Sequence, residues 1–177
     1  MDDYAIEELR RAADRSEITH LVATYAAEGD RGRVDKLLDI FAEDGVMVTP
    51  IWRAEGRAGI AQALNNITTD AARGDTRASL RTKEEPRRVS RHHITSCYIT
   101  FDGSDEAGGR IYWINFSENG ADHSGIYADK YRRINGHWRI TAREVRLDWK
   151  SANSRTPVDL ITGPRPDHLP PVPDYRG

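Results

Sequence analysis

A single α+β domain, with helices leading and an antiparallel sheet following, is the fold class this chain predicts. Apolar residues recur at helical spacing as far as Leu64, then at strand spacing from Ile94 onward. Turn sequences at Asp102-Gly103, Glu118-Asn119-Gly120 and Asn135-Gly136 divide the second half into segments of strand length. A chain of 177 residues, 38% apolar and 31% charged, suffices for one core and is short for two.

From Tyr4 to Glu28 the spacing predicts one helix or two in succession. Ile6 and Leu9 recur first, then Ile18, Leu21, Val22 and Tyr25, with Ser16 available to cap a second helix. Val34, Leu37, Leu38 and Phe41 form the apolar side of a short third helix, broken at Asp44-Gly45. Val46-Met47-Val48-Thr49 reads as a short strand, and Gly56 to Leu64 as a short helix after a turn. Residues 65–90 are polar and basic, with Arg73, Arg77, Arg81, Lys83, Arg87 and Arg88 among Asp70, Asp75, Glu84 and Glu85. That length exceeds ordinary connections and predicts a long polar loop or lid. Strands follow over 94–101, 107–116, 125–134 and 138–149, a four-stranded antiparallel meander. Six of the eight prolines fall between Pro157 and Pro173, so 151–177 is expected to be a tail lying over a surface or a neighbour. With no internal repeat, residues 1–150 are expected to make one domain.

A formal charge of −2 and a pI near 6.3 supply no global field for nucleic acid or an anionic membrane. Trp52, Trp113, Trp138 and Trp149 have no basic stripe interleaved with them, which also argues against stacking on bases. The lone Cys97 excludes an intramolecular disulfide and makes a reducing cytoplasm the expected compartment. The acidic start, Asp2-Asp3-Tyr4-Ala5-Ile6-Glu7-Glu8, resembles neither a signal peptide nor a membrane span. No Cys/His cluster has zinc spacing, and no phosphate-binding glycine loop or Gly-x-Ser-x-Gly turn occurs, so a site without metal or cofactor is expected.

The residues that carry chemistry are Tyr25 and Asp30, at the end of a helical stripe that Gly29 is suited to close, and His92, at the start of the strand-rich half. A carboxylate beside an imidazole orients it and stabilises its protonated form, which makes a general base. A simpler reading of His92 is a buried histidine satisfied by a carbonyl, and of Tyr25 a core residue. Asp30 would oppose the helix dipole at a C-terminus, which favours a specific cationic partner. His93 neighbours His92 on a strand, so the two should face opposite sides, and His92 is expected inside. Tyr127, Asp129 and Tyr131 alternate and should share one face. Asp129 would contact a substrate hydroxyl or pair with Arg143 or Arg133.

The order of these features resembles the SnoaL-like branch of the nuclear transport factor 2-like superfamily. The resemblance runs over residues 14–149. It is carried by Phe41-Ala42-Glu43-Asp44-Gly45-Val46, by Gly125, Tyr127, Asp129, Tyr131, Arg132 and Arg133, and by Gly136, Trp138, Arg139 and Ile140. It implies a cone: a curved antiparallel sheet closed by N-terminal helices around an apolar cavity. It also implies the metal-free lyase chemistry of scytalone dehydratase, bile acid 7α-dehydratase and hexachlorocyclohexane dehydrochlorinase. Asp30 then looks like the dyad aspartate, His92 like the catalytic histidine, Tyr25 like the helix tyrosine of the dehydratases, and Arg143 like an arginine used by some members.

An elimination needs a base near the acidic C–H, a group that orients the base, and a donor for the developing negative charge. His92, Asp30 and Tyr25 would fill these roles, with Tyr127, Asp129, Arg143, Trp52 and Trp113 contacting a small, largely apolar cyclic substrate. Isomerisation or cyclisation of a polyketide or steroid-like ketone would share the opening proton abstraction. The superfamily also includes the non-catalytic small subunit of aromatic-ring dioxygenases, whose last strand Arg143-Glu144-Val145-Arg146-Leu147-Asp148 resembles. That alternative predicts that Asp30 and His92 stand apart. Relatives imply a homo-oligomer, a trimer or a dimer.

Overall fold

The computed structural model describes residues 2–74 and 89–154, with side chains described for 2–66 and 89–154. The elements run α1 (Asp3–Gly29), α2 (Val34–Leu38), β1 (Phe41–Val48), β2 (Arg53–Glu55), α3 (Gly56–Gly74), β3 (Ser90–Asp102), β4 (Glu106–Ser117), β5 (Gly120–Ile134) and β6 (His137–Lys150). Helices at the N-terminus pack on a six-stranded, curved, unclosed sheet. The proline-rich segment and most of the expected polar loop lie outside the described residues.

α1 is one helix of 27 residues rather than two, and Ser16 lies within it. Asp2 caps its start by accepting from the Ala5 amide at 2.8 Å, and Glu7 pairs with Arg11 one turn on at 2.9 Å. Its buried stripe is Asp14, Ile18, Leu21, Val22 and Ala26. Each of its large apolar members contributes about 1.5–3 kcal/mol by burial. Ile6 and Leu9 are half exposed, so they serve the helix period and not the core.

α2 stops at Leu38, short of the expected end at Phe41, because the chain is captured by the sheet. The Ile140 amide donates to the Ile40 carbonyl at 2.9 Å, and Phe41 pairs with Ile140. Asp44-Gly45 therefore breaks no helix. It lies in a bulge between Phe41 and Val46, where a Cβ on Gly45 would stand 2.9 Å from the Ala42 carbonyl oxygen. Arg57 of α3 donates to the Phe41 carbonyl through Nε at 2.8 Å and Nη2 at 2.6 Å. α3 continues past Leu64 to Gly74. Asn65 to Asp70 are weak helix formers, but Ala71, Ala72 and Arg73 are strong ones, and the run includes neither proline nor glycine, so nothing stops the helix before Gly74.

The sheet order is β2-β1-β6-β5-β4-β3. β3 to β6 form the expected antiparallel meander, but β1 joins β6 in parallel, which makes the sheet mixed. Bulges re-phase the strands. On β3 an extra residue at Thr95 shifts the inward set from His92 and Ile94 to Cys97, Ile99 and Phe101. One core cluster joins Ile18, Leu21, Phe41, Tyr131, Trp138 and Ile140; a second joins Val22, Ile111, Trp113 and Tyr127. Asp14 ties α1 to the sheet: its Oδ1 accepts from Arg133 Nη2 at 2.6 Å and from Trp138 Nε1 at 3.1 Å.

Candidate functional site

Asp30 is the residue that closes α1, and its backbone N–H still donates to the Ala26 carbonyl. The left-handed turn that reverses the chain comes later, at Gly32 with φ +67°, so Gly29 ends the helix without itself adopting that conformation. This exit angle aims the Asp30 carboxylate at β3. His92 Nδ1 lies 2.7 Å from Asp30 Oδ1, and the His92 amide donates to Oδ2 at 3.0 Å and to Oδ1 at 3.2 Å. The carboxylate thus grips both backbone and ring of one residue across a separation of 62 positions. An ionised carboxylate only accepts, so the hydrogen between them sits on Nδ1, and whenever the ring carries a single proton its lone pair is on Nε2. With the Nδ1 hydrogen committed, the Asn115 amide 3.4 Å away is a packing contact rather than a second bond.

Asp30 is nearly sealed at 9% side-chain exposure, while His92 retains 30%. The orienting group is buried and the reactive ring remains accessible. His93 faces the other side and packs on Phe116, with ring centroids 5.1 Å apart.

A chain of aromatic contacts leads inward from His92. Trp113 lies 5.7 Å from its ring and stacks on Tyr127 at 5.3 Å; Tyr127 meets Tyr25 edge-on at 5.3 Å. The Arg143 guanidinium sits over both tyrosines, 4.1 Å from the Tyr25 ring centre and 4.4 Å from that of Tyr127. Tyr25 thus stands one aromatic layer away from the Asp30–His92 contact, and its hydroxyl lies 3.9 Å from Met47 Sδ and within the influence of the Arg143 guanidinium. Burial pushes the phenols of Tyr25 and Tyr127 up, and the charge of Asp30 adds to the shift at Tyr127, so both remain protonated donors.

Both carboxylate oxygens of Asp129 are engaged within the core. Oδ1 accepts from Arg143 Nε at 2.8 Å; Oδ2 accepts from Arg143 Nη2 at 2.6 Å and from the Tyr131 hydroxyl at 2.6 Å, all fully buried. Of the two ion pairs expected for it, with Arg143 or with Arg133, the structure shows the one with Arg143, while Arg133 pairs with Asp14 and Asp105. Burial opposes the charge of Arg143, and the field and hydrogen bonds of Asp129 outweigh that, so its pKa is raised. Among the described residues Arg143 Nη1, Trp113 Nε1 and Trp52 Nε1 are buried donors without a partner. Trp52 packs beside the first core cluster, away from the Trp113 stack.

Sequence reasoning missed the cross-strand row His92–Asn115–His123. Asn115 pairs in register with His92 on β3 and with His123 on β5, so all three share one face. Asn115 is buried and donates to Ser90 Oγ at 2.9 Å. His123 Nδ1 lies 2.7 Å from Asp122 Oδ1, and its ring is 6.4 Å from His92 and 5.4 Å from Trp113. The hairpin turn alone does not reveal this row: Ser117 pairs with Gly120, and regular counting from that turn puts Asp122 opposite Asn115, whereas an extra residue at Asp122 on β5 brings His123 there.

Among the described residues no group of three or more His, Cys, Asp or Glu is arranged to hold a metal ion, and no helix is long and apolar enough to cross a membrane. A groove of about 530 Å³ between α1 and β3 is walled by Arg15, Thr19, Cys97 and Phe101 among others, and shares no wall with Asp30 or His92.

The family model for the SnoaL-like domain matches residues 10–144. No curated protein matches the chain. Among solved structures, an NTF2-like protein with a cystatin-like fold from Novosphingobium aromaticivorans is 27% identical, with a TM-score of 0.66 over 88% of this chain and 96% of that one. A candidate scytalone dehydratase from the same organism is 20% identical, with a TM-score of 0.66 over 88% and 98%. The beta subunit of a candidate aromatic-ring-hydroxylating dioxygenase, again from that organism, is 17% identical, with a TM-score of 0.59 over 81% and 94%. The last two likenesses are of fold.

Proposed function

The chain belongs to the SnoaL-like domain family, and on that premise we propose that it is a cofactor-independent lyase. In this reading it removes a proton from a small, largely apolar cyclic molecule and expels water or another leaving group. The observation that carries the reading is the 2.7 Å contact between His92 Nδ1 and Asp30 Oδ1, with the carboxylate also anchored on the His92 amide. This arrangement holds one tautomer, so that Nε2 is the base.

The substrate C–H bond breaks to His92 Nε2, and its electron pair delocalises toward an adjacent carbonyl before the leaving group departs. Negative charge then develops on the carbonyl oxygen, and the protonated phenols of Tyr25 and Tyr127 and the unpartnered Nη1 of Arg143 are donors for it. Asp129 serves as the anchor of Arg143 in this scheme. Isomerisation would use the same first step. The non-catalytic subunit reading requires Asp30 and His92 to be apart, and their contact weighs against it.

The test is a panel of cyclic β-hydroxy and β-chloro ketones, followed by the absorbance of the conjugated enone. Wild type should turn over at least one skeleton, with His92→Gln slower by about 10²–10⁴. Full activity in His92→Gln, or binding without turnover by wild type, would sink the reading.

A further inference from the structure

We propose that His123, held by Asp122, is a second proton-transfer group at this site and acts as the acid that protonates the leaving group. The inference rests on the lyase reading above and extends it from one carboxylate–imidazole pair to two. Four observations carry it. His123 shares a sheet face with His92 through the cross-strand row centred on Asn115. The two imidazole rings lie 6.4 Å apart, nearly perpendicular, with Trp113 against both. Each ring has its Nδ1 at 2.7 Å from a carboxylate oxygen that is nearly buried, Asp30 for one and Asp122 for the other. Among the described residues neither Nε2 has a hydrogen-bond partner.

The carboxylate of Asp122 is itself fixed. Ser154 Oγ donates to Asp122 Oδ1 at 2.7 Å, and the Ser151 amide donates to the Asp122 carbonyl at 2.8 Å. The chain that leaves β6 is thereby fastened to the residue that orients His123. Asp122 and Ser154 are positioning residues, since they act through the ring. A structural histidine needs no such arrangement beside a second oriented imidazole; a donor whose proton must arrive at one place does.

The proton balance closes with the two rings in opposite states. In this scheme His92 starts as the base and His123 as the acid. The substrate C–H bond breaks, its proton passes to His92 Nε2, and its electron pair delocalises toward the adjacent carbonyl. That pair then forms the new C=C bond as the C–O bond breaks, the departing oxygen taking the proton from His123 Nε2 and leaving as water. His92 then releases a proton to solvent and His123 regains one, so the net change is loss of water alone. With ring centroids 6.4 Å apart, the two imidazoles are spaced for groups on neighbouring carbons of one substrate.

The two histidines are separated by leaving-group dependence. Hydroxide is a poor leaving group and needs a proton, whereas chloride needs none. With matched β-hydroxy and β-chloro ketones on one ring skeleton, His123→Gln should lower kcat by about 10²–10⁴ on the hydroxy substrate and by less than about tenfold on the chloro substrate. His92→Gln should slow both. Asp122→Asn, which leaves the ring in place and changes its orienter, should show the same selectivity at smaller amplitude, and it covers the case in which His123→Gln folds poorly. Equal losses on both substrates in these variants, or none, would overturn the role of His123 while leaving the lyase reading intact. Failure of wild type on every matched pair would overturn both.

Discussion

Arg143 and Asp129 form a closed fork in the core: Nε to Oδ1 at 2.8 Å and Nη2 to Oδ2 at 2.6 Å, with both side chains fully buried. The third nitrogen, Nη1, is the orphan. A buried pair of this kind is poor evidence of net stabilisation, but removing one partner strands a charge in low dielectric. Asp129→Asn should therefore cost about 3–5 kcal/mol, read as a loss in denaturant midpoint. Arg143→Lys should also be poorly tolerated, since an ammonium cannot make the bidentate contact or cover two phenol rings.

The Asp30–His92 contact predicts a different signature. Asp30→Asn offers an amide that can donate to Nδ1, which would move the ring hydrogen to Nε2 and remove the base. Turnover on a responsive ketone should fall by about 10²–10⁴. A nitrogen-detected NMR spectrum of the His92 imidazole should show the tautomer change, and an unchanged tautomer would contradict the assignment.

Tyr25 separates stability from chemistry. Its hydroxyl meets Met47 Sδ weakly and lies near the Arg143 guanidinium, while its ring is packed by Arg143, Tyr127 and Phe41. Tyr25→Phe keeps the packing, so the melting temperature should hardly move. If the hydroxyl donates to developing charge, kcat should drop by up to about 10²–10³. Unaltered kcat would reduce Tyr25 to a core residue.

Acid stability should carry the mark of Asp14. Burial pushes its carboxyl up, but hydrogen bonds from Arg133 and Trp138 outweigh this, and the net pKa is lowered. The unfolded chain then binds a proton at Asp14 more tightly than the folded one, so stability rises with pH across that window. The contribution is complete above the unfolded carboxylate range of about 3.9 and is lost as pH falls through the lower folded value. Asp14→Asn should flatten the acid limb of a stability-against-pH curve and cost about 1–3 kcal/mol near neutrality. An acid limb as steep as that of wild type would show that other carboxylates set it.

Gly125 sits where a side chain has no room. A Cβ there would overlap the Arg146 carbonyl and approach Trp113 Cζ2 to 2.9 Å. Gly125→Ala should destabilise by about 1–3 kcal/mol and tilt Trp113 off Tyr127, which near-ultraviolet circular dichroism would register. An unaltered aromatic spectrum would show that the bulge at Ser124/Gly125 absorbs the methyl group.

Elements whose signals are local could be read from the residues alone. Helical spacing marked the stripe from Ile18 to Ala26 on α1, and two-residue alternation with glycine turns marked the meander from β3 to β6. Residue chemistry singled out Asp30 and His92 as a carboxylate and an imidazole worth joining, and strand parity placed His92 and His93 on opposite faces. Tertiary structure decided the rest. Phe41 left its helix because β6 offered a parallel partner through Ile140, and α3 outran its weak helix formers. Both outcomes depend on what lies alongside and on no local pattern. Bulges decided which residues face the site: one residue added at Thr95 on β3 and one at Asp122 on β5 reversed the parity of everything beyond them. A bulge leaves almost no mark in composition, because the period it interrupts resumes at once on the other face. For that reason Asp30 was legible as a candidate and His123 was not. Asp30 needed only its chemistry and a helix end, whereas the place of His123 depended on a register set by neighbouring strands.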